Sequence, residues 1–123
     1  MRLLLDTHVL LWWLERSDRL DARHQALIEA GESEPWVSAA SIWELSIKIS
    51  KGRLSIDGDL LESIKASHLS LLEVNENHAW AAGALPPHHR DPFDRMQVAQ
   101  AQIEGLTIAT VDPVFSMYDV ATI

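Results

Sequence analysis

Cysteine is absent from the 123 residues, which removes disulfides, thiolate zinc sites and cysteine nucleophiles together and fits a reducing compartment. Glycine and proline are scarce, at five each, and no linker or low-complexity tract interrupts the chain. Also missing is any apolar run near the ~20 residues needed to cross a bilayer. The most apolar stretch, "LLLDTHVLLWWL", is broken by Asp6 and His8 and has no basic leader, so a cytoplasmic protein with no membrane association is expected. Basic residues are the last shortage: 10 Lys and Arg stand against 18 Asp and Glu, a formal charge of −8. That balance lacks the basic footprint of a phosphate-binding surface, an objection that weakens only if the acids gather around metal ions. What is present is a 47% hydrophobic, 23% charged composition of globular type. Its length suits one domain covering residues 1–123.

Short apolar runs alternate with helical patterns. Residues 2–6, 35–39, 69–74 and 106–110 read as strands, with a terminal strand at 119–123. Helices are expected over 8–15, 21–30, 41–52, 59–68, 76–85 and 93–105, with an irregular loop at 86–92 and one helical turn at 113–118. Ser41 is read as opening its helix and Gly52 as closing it, while Asp21 and Gly31 bracket the second helix. Strands of this kind interleaved with helices indicate a parallel sheet covered on both faces, an α/β/α sandwich. Periodicity leaves the strand order open.

Ligands of open α/β sheets collect outside the carboxyl ends of the strands, and the acids fall against that edge. Asp6 ends the first strand, Asp112 lies two residues beyond "LTIAT", and Glu44 and Asp94 lie in the first turns of two helices. Each has a structural explanation. Asp6 could cap a helix, Ser41-x-x-Glu44 is a capping-box pattern, and Glu44 and Lys48 form an i,i+4 pair. Asp91 and Asp94 favour a helix N-terminus, and Asp112-Pro113 opens turns. Together they are harder to explain structurally, since two carboxylates ~4 Å apart repel by about 4 kcal/mol at an effective dielectric of 20. Such a cluster must hold protons or cations. All-oxygen donors suit Mg²⁺ or Mn²⁺, which orient phosphate and activate water for phosphodiester cleavage.

The runs "LLLDTHVLLWWL", "VSAASIWELSIK", "HRDPFDRMQVAQAQIEG" and "LTIATVD" together resemble the PIN-domain ribonucleases, specifically the VapC-type toxins of bacterial toxin–antitoxin pairs. The resemblance covers nearly the whole chain in order and spacing. It implies a central parallel sheet of four or five short strands between helices and Mg²⁺- or Mn²⁺-dependent endoribonuclease activity. It places the metal-binding, catalytic acids at Asp6, Glu44, Asp94 and Asp112, with Asp91 and Thr110 as auxiliaries. The family often has a small polar residue before its last aspartate, where this chain has Val111. The resemblance also implies an antitoxin of the VapB type, bound by apolar side chains of the early helices, and a homodimer. Water attack on phosphorus would leave 5′-phosphate and 3′-hydroxyl ends; 2′,3′-cyclic phosphate would contradict it.

Lys48, Lys51 and Arg53, with Arg90 and Arg95, are candidate phosphate contacts for RNA, against a reading as ordinary solvated or ion-paired side chains. Of the five tryptophans, Trp36, Trp43 and Trp80 are expected in the core. The six histidines form no ligand motif and are read as structural or solvent-facing, with His8 near Asp6. Rival readings fare worse. A haloacid-dehalogenase type of phosphatase needs a second aspartate where His8 stands, and a phosphoacceptor receiver needs an aspartate after its third strand and a late lysine. A non-catalytic acidic interaction module leaves the convergence of four acids unexplained.

Overall fold

A computed structural model describes residues 1–123. Four strands, β1 (Arg2–Leu5), β2 (Glu34–Ser38), β3 (Ser70–Leu72) and β4 (Thr107–Ala109), form one sheet in the order β3-β2-β1-β4, every neighbouring pair parallel. Six helices connect them: α1 (Thr7–Leu14), α2 (Ala22–Glu29), α3 (Ala39–Ser50), α4 (Leu60–Ala66), α5 (Glu76–Ala84) and α6 (Pro92–Glu104), followed by a 3₁₀ turn, Pro113–Met117. The segment expected as a fifth strand, 119–123, instead lies alongside β4 with a single bridge, Ile108 to Thr122.

Strand side chains alternate between faces, and here they divide two cores. Leu3, Leu5, Val37 and Ala109 pack with Val9 and Leu10 of α1, Ile28 of α2, Leu45 of α3 and Ile64 of α4. Leu4 and Ile108 point the other way, onto Val98 and Ala101 of α6 and onto Phe115 and Tyr118. Both faces are therefore dry, which explains why β1 reads as unbroken leucine instead of alternating with polar residues. The three-layer α/β/α expectation holds.

Helix ends follow local chemistry, with one correction. Asp21 caps α2 through the Arg23 amide at 2.7 Å, and Gly105, at φ +68°, ends α6 in the left-handed region that costs glycine nothing. Ser41, however, does not open α3. Ser38 does, accepting the Ala40 amide at 3.0 Å, so the helix begins at Ala39 and Ser41 lies buried inside it. The Ser41–Glu44 capping box is thereby excluded.

Two tryptophans are also misplaced by the sequence reading. Trp43 is 63% exposed and Trp80 85% exposed, while Trp36 is half-buried against the second core. Trp43 meets Phe93 edge-on at 5.2 Å, which joins the second turn of α3 to the first turn of α6.

The strand order sets the location of a site. From β1 the chain moves outward through β2 to β3, then returns to place β4 on the other side of β1. The crevice beyond the carboxyl ends of β1 and β4 is the switch point where α/β sheets bind ligands.

Candidate metal centre

Asp6 occupies the N-cap position of α1, yet its side chain makes no capping bond. It is 2% exposed; Oδ2 accepts from the Thr110 hydroxyl at 2.8 Å, and Oδ1 is buried without a partner. A capping aspartate would bond the second or third amide of its helix. This one turns its carboxylate away, into the crevice.

Glu44 arrives from the second turn of α3. It is 7% exposed, with Oε2 3.2 Å from Lys48 Nζ and Oε1 buried and unpartnered. The Glu44–Lys48 pair is thus anchored at its acidic end instead of being solvated at both.

Asp94 is the third residue of α6. The helix is started by Asp91, whose Oδ1 accepts the amides of Phe93 and Asp94 at 2.8 and 3.0 Å, with Pro92 following. Asp91 is therefore the cap and Asp94 the free carboxylate. Asp112 does both jobs: Oδ1 accepts from the Val114 amide at 2.9 Å, while Oδ2 faces the crevice 3.5 Å from His89 Nε2. Thr110 Oγ1 receives the Asp112 amide at 3.0 Å as well as bonding Asp6, so one hydroxyl links the ends of β1 and β4. Val111, the departure from the family pattern, is 52% exposed between these two residues, and the hydroxyl–amide link is made without its side chain.

The charges register one another. Burial first, and then repulsion from Asp6, Asp91, Glu44 and Asp112, pushes the Asp94 carboxyl up to about 8. Burial also raises Asp6, opposed by the Thr110 hydrogen bond, His8 and the Thr7 amide, with Glu44 adding to the rise. Desolvation and like charge both penalise the ionised form.

Beneath the acids lies a polar floor that the sequence reading missed. The Thr7 hydroxyl donates to Ser41 Oγ at 2.9 Å and accepts from Gln97 Nε2 at 3.3 Å, joining α1, α3 and α6. Ser41 stands three residues before Glu44 and Gln97 three after Asp94, so each shares a helix face with its acid. Ser38 Oγ donates to Gln100 Oε1 at 2.6 Å, and Gln100 Nε2 donates to the Glu73 carbonyl at 3.1 Å. The signal available was a polar residue one turn from each acid on helices that otherwise bury apolar side chains.

His89, read as structural or solvent-facing, is also brought in. Its Nε2 lies 2.8 Å from Asp94 Oδ2, and the ligand atoms of His89, Asp94 and Asp112 fall within 4.8 Å of one another. Arg95 leaves the list of RNA contacts. Its guanidinium donates to the carbonyls of Ala82 (2.9 Å), Leu85 (3.0 Å) and Pro86 (3.0 Å), with longer bonds to His89 and Gly83. These acceptors cluster at the C-terminus of α5, where carbonyls lack helical partners. Lys51, Arg53 and Arg90 are exposed, and Lys48 is engaged by Glu44.

The donor set fits a hard divalent cation. Its acids are Asp6, Glu44, Asp94 and Asp112, with the His89 imidazole beside the last two; two of the carboxylate oxygens are buried with no hydrogen-bond donor, and Asp94 is driven toward protonation by burial and by its neighbours. A buried carboxylate oxygen without a partner is costly, and a cation removes that cost.

A four-stranded parallel sheet between helix layers, with acids gathered at the β1/β4 switch point, defines a class, and residues 3–121 match the family model for the PIN domain. The chain belongs to the PIN-domain family. Among curated proteins it is similar to "Ribonuclease VapC22" of Mycobacterium tuberculosis (strain ATCC 25618 / H37Rv), 33% identical over 113 residues, which cover 89% of this chain and 85% of the relative. Among solved structures, VapBC2 from Rickettsia felis bound to a DNA fragment from their promoter superposes with a TM-score of 0.74 at 17% identity, covering 100% of this chain and 98% of that one. A toxin–antitoxin complex from Klebsiella pneumoniae gives 0.69 at 16% identity, covering 98% and 94%. At these identities the structural likenesses concern the fold.

Proposed function

We propose that this chain is a Mg²⁺- or Mn²⁺-dependent endoribonuclease and the toxin of a VapBC-type toxin–antitoxin pair. The observation that carries the nuclease reading is the pair of buried, unpartnered carboxylate oxygens on Asp6 and Glu44, whose charges, with those of Asp91 and Asp112, help to push up the carboxyl of Asp94. The named activity of the Mycobacterium tuberculosis relative gives the substrate class.

Asp6, Glu44, Asp94 and Asp112 would hold the cation, which when bound supplies Lewis-acid stabilisation of the phosphodiester and a lowered pKa for attacking water. Thr110 holds Asp6 in one rotamer and the Asp112 backbone beside it. Asp94 keeps its proton to about pH 8 without a cation and must release it when the cation is bound. Lys51 and Arg53, beyond the far end of the helix that carries Glu44, and Arg90, beside the Asp91 cap, are exposed cations available to RNA phosphates on an otherwise acidic protein.

The antitoxin reading is supported by the toxin–antitoxin complexes that share this fold and by a groove of about 860 Å³ at the end of α1, beside α2 and α4. Its lining is mixed, with Trp13, Leu14, Leu20 and Ala66 beside Arg16, Asp18 and Glu29, so a partner there would need both apolar and charged contacts. Action as a homodimer in the cytoplasm belongs to the same reading.

The test is cleavage of a mixed RNA pool by purified protein with Mg²⁺, Mn²⁺ or chelator, alongside Asp6→Asn. Metal-dependent cutting with 5′-phosphate ends, lost in the variant, is expected. Chelator-resistant cutting, or 2′,3′-cyclic phosphate ends, would overturn the mechanism.

A further inference from the structure

His89 is held from three directions. Its backbone amide donates to the Tyr118 hydroxyl at 2.8 Å, its carbonyl accepts from Arg95, and its ring meets Phe115 edge-on at 6.2 Å. The Asp91 amide donates to Nδ1 at 3.2 Å. An amide can only donate, so Nδ1 presents its lone pair and the ring proton of the neutral imidazole sits on Nε2. That nitrogen is buried, 2.8 Å from Asp94 Oδ2 and 3.5 Å from Asp112 Oδ2, and closes a well-aligned hydrogen bond with neither.

Two roles are open to a histidine among carboxylates. As a metal ligand it must offer a lone pair; as a positioning group it must offer a proton. The Asp91 amide decides between them, because it occupies the only lone pair of the neutral ring. The Nε2 proton then lies between two acids that come from different elements, α6 and the turn after β4. Asp112 is the more exposed of the two, at 36% of its side chain against 16%, and the one with more freedom to swing outward.

We propose that His89 is a positioning residue of the metal centre, an Nε2–H donor shared between Asp94 and Asp112 that keeps both carboxylates on the crevice, and not a ligand itself. The inference rests on the metal-centre reading above. It makes the loop 85–91 part of the site, with Arg95 and Tyr118 holding the His89 backbone and Phe115 and the Asp91 amide against its ring. Partners one bond removed from a metal typically change its affinity by ten- to a hundred-fold when deleted.

The experiment is Mn²⁺ binding, measured by titration and by electron spin-echo spectroscopy on the wild type, His89→Leu and His89→Gln. Expected are a ten-fold or greater loss of Mn²⁺ affinity in His89→Leu, substantial recovery in His89→Gln, whose amide nitrogen can take the place of Nε2–H, and no directly coordinated nitrogen in the wild-type spectrum. A directly coordinated ¹⁴N in wild type that vanishes in both variants would make His89 a ligand and overturn the proposal. Unchanged affinity in a folded His89→Leu would overturn it as well. Wild-type protein that takes up no Mn²⁺ would remove the metal centre itself, a failure distinguishable from the other two.

Discussion

The hydroxyl of Thr110 donates to Asp6 Oδ2 at 2.8 Å across 104 residues of sequence. It accepts the amide of Asp112 at the same time. A hydrogen bond to a charged group contributes about 1.5–3 kcal/mol, so Thr110→Val is expected to weaken Mn²⁺ binding about ten-fold or more, while Thr110→Ser keeps most of it. Titration calorimetry on the two variants checks this. Affinity kept in Thr110→Val but lost in Thr110→Ser would show that the methyl packing matters and the hydroxyl does not.

Asp94 sets a pH dependence of stability in the metal-free protein. Its folded carboxyl, at about 8, lies above its ordinary value of 3.8. Between those values the native state binds a proton that the unfolded state has released, so the slope of stability with pH is negative. The contribution is full below about pH 4 and is lost by pH 8. Urea unfolding in chelator should therefore show a decline across this window that Asp94→Asn flattens. Saturating Mg²⁺ should stabilise the protein most at the alkaline end, because the cation needs the ionised acid.

Lys48 competes for Glu44. With its ammonium 3.2 Å from Oε2, Lys48→Met removes a positive charge from the edge of the crevice and should tighten Mn²⁺ binding several-fold at low salt. The gain should shrink as salt rises. Weaker binding in this variant would mean that Lys48 orients Glu44 for the cation.

Arg95 is a stability residue. Replacing it by alanine strips the α5 carboxyl end of its guanidinium partner and should cost about 2–3 kcal/mol in urea unfolding. Lysine should restore only part, since a point charge cannot reproduce the planar fork. No destabilisation in Arg95→Ala would return this arginine to the pool of RNA contacts.

The layer architecture was legible because β1, β2 and β4 are short apolar runs separated by helical patterns. The strand order was not, because nothing local tells β4 to cross back over β1. The acids Asp6, Glu44, Asp94 and Asp112 stood out by their place after strands and in first turns, and Asp6 could be separated from a cap only by seeing its carboxylate turn away. The Ser41 reading failed because Ser38 offers an equally good cap three residues earlier, and Ala39 and Ala40 extend the helix readily. Trp43 and Trp80 were assigned to the core on hydrophobicity, a property that does not say which face of a helix meets the sheet. His89 and Arg95 depend on contacts between the loop and distant elements, which adjacency in sequence hides.

The reversal at β1 also has a meaning in time. Because β4 is the last of the four strands in chain order yet pairs with the first, Asp6 has no Thr110 and no Asp112 beside it until residues 107–112 have left the ribosome. On the nuclease reading proposed above, the acids of the site therefore stay apart for as long as the segment that carries β4 is still being made.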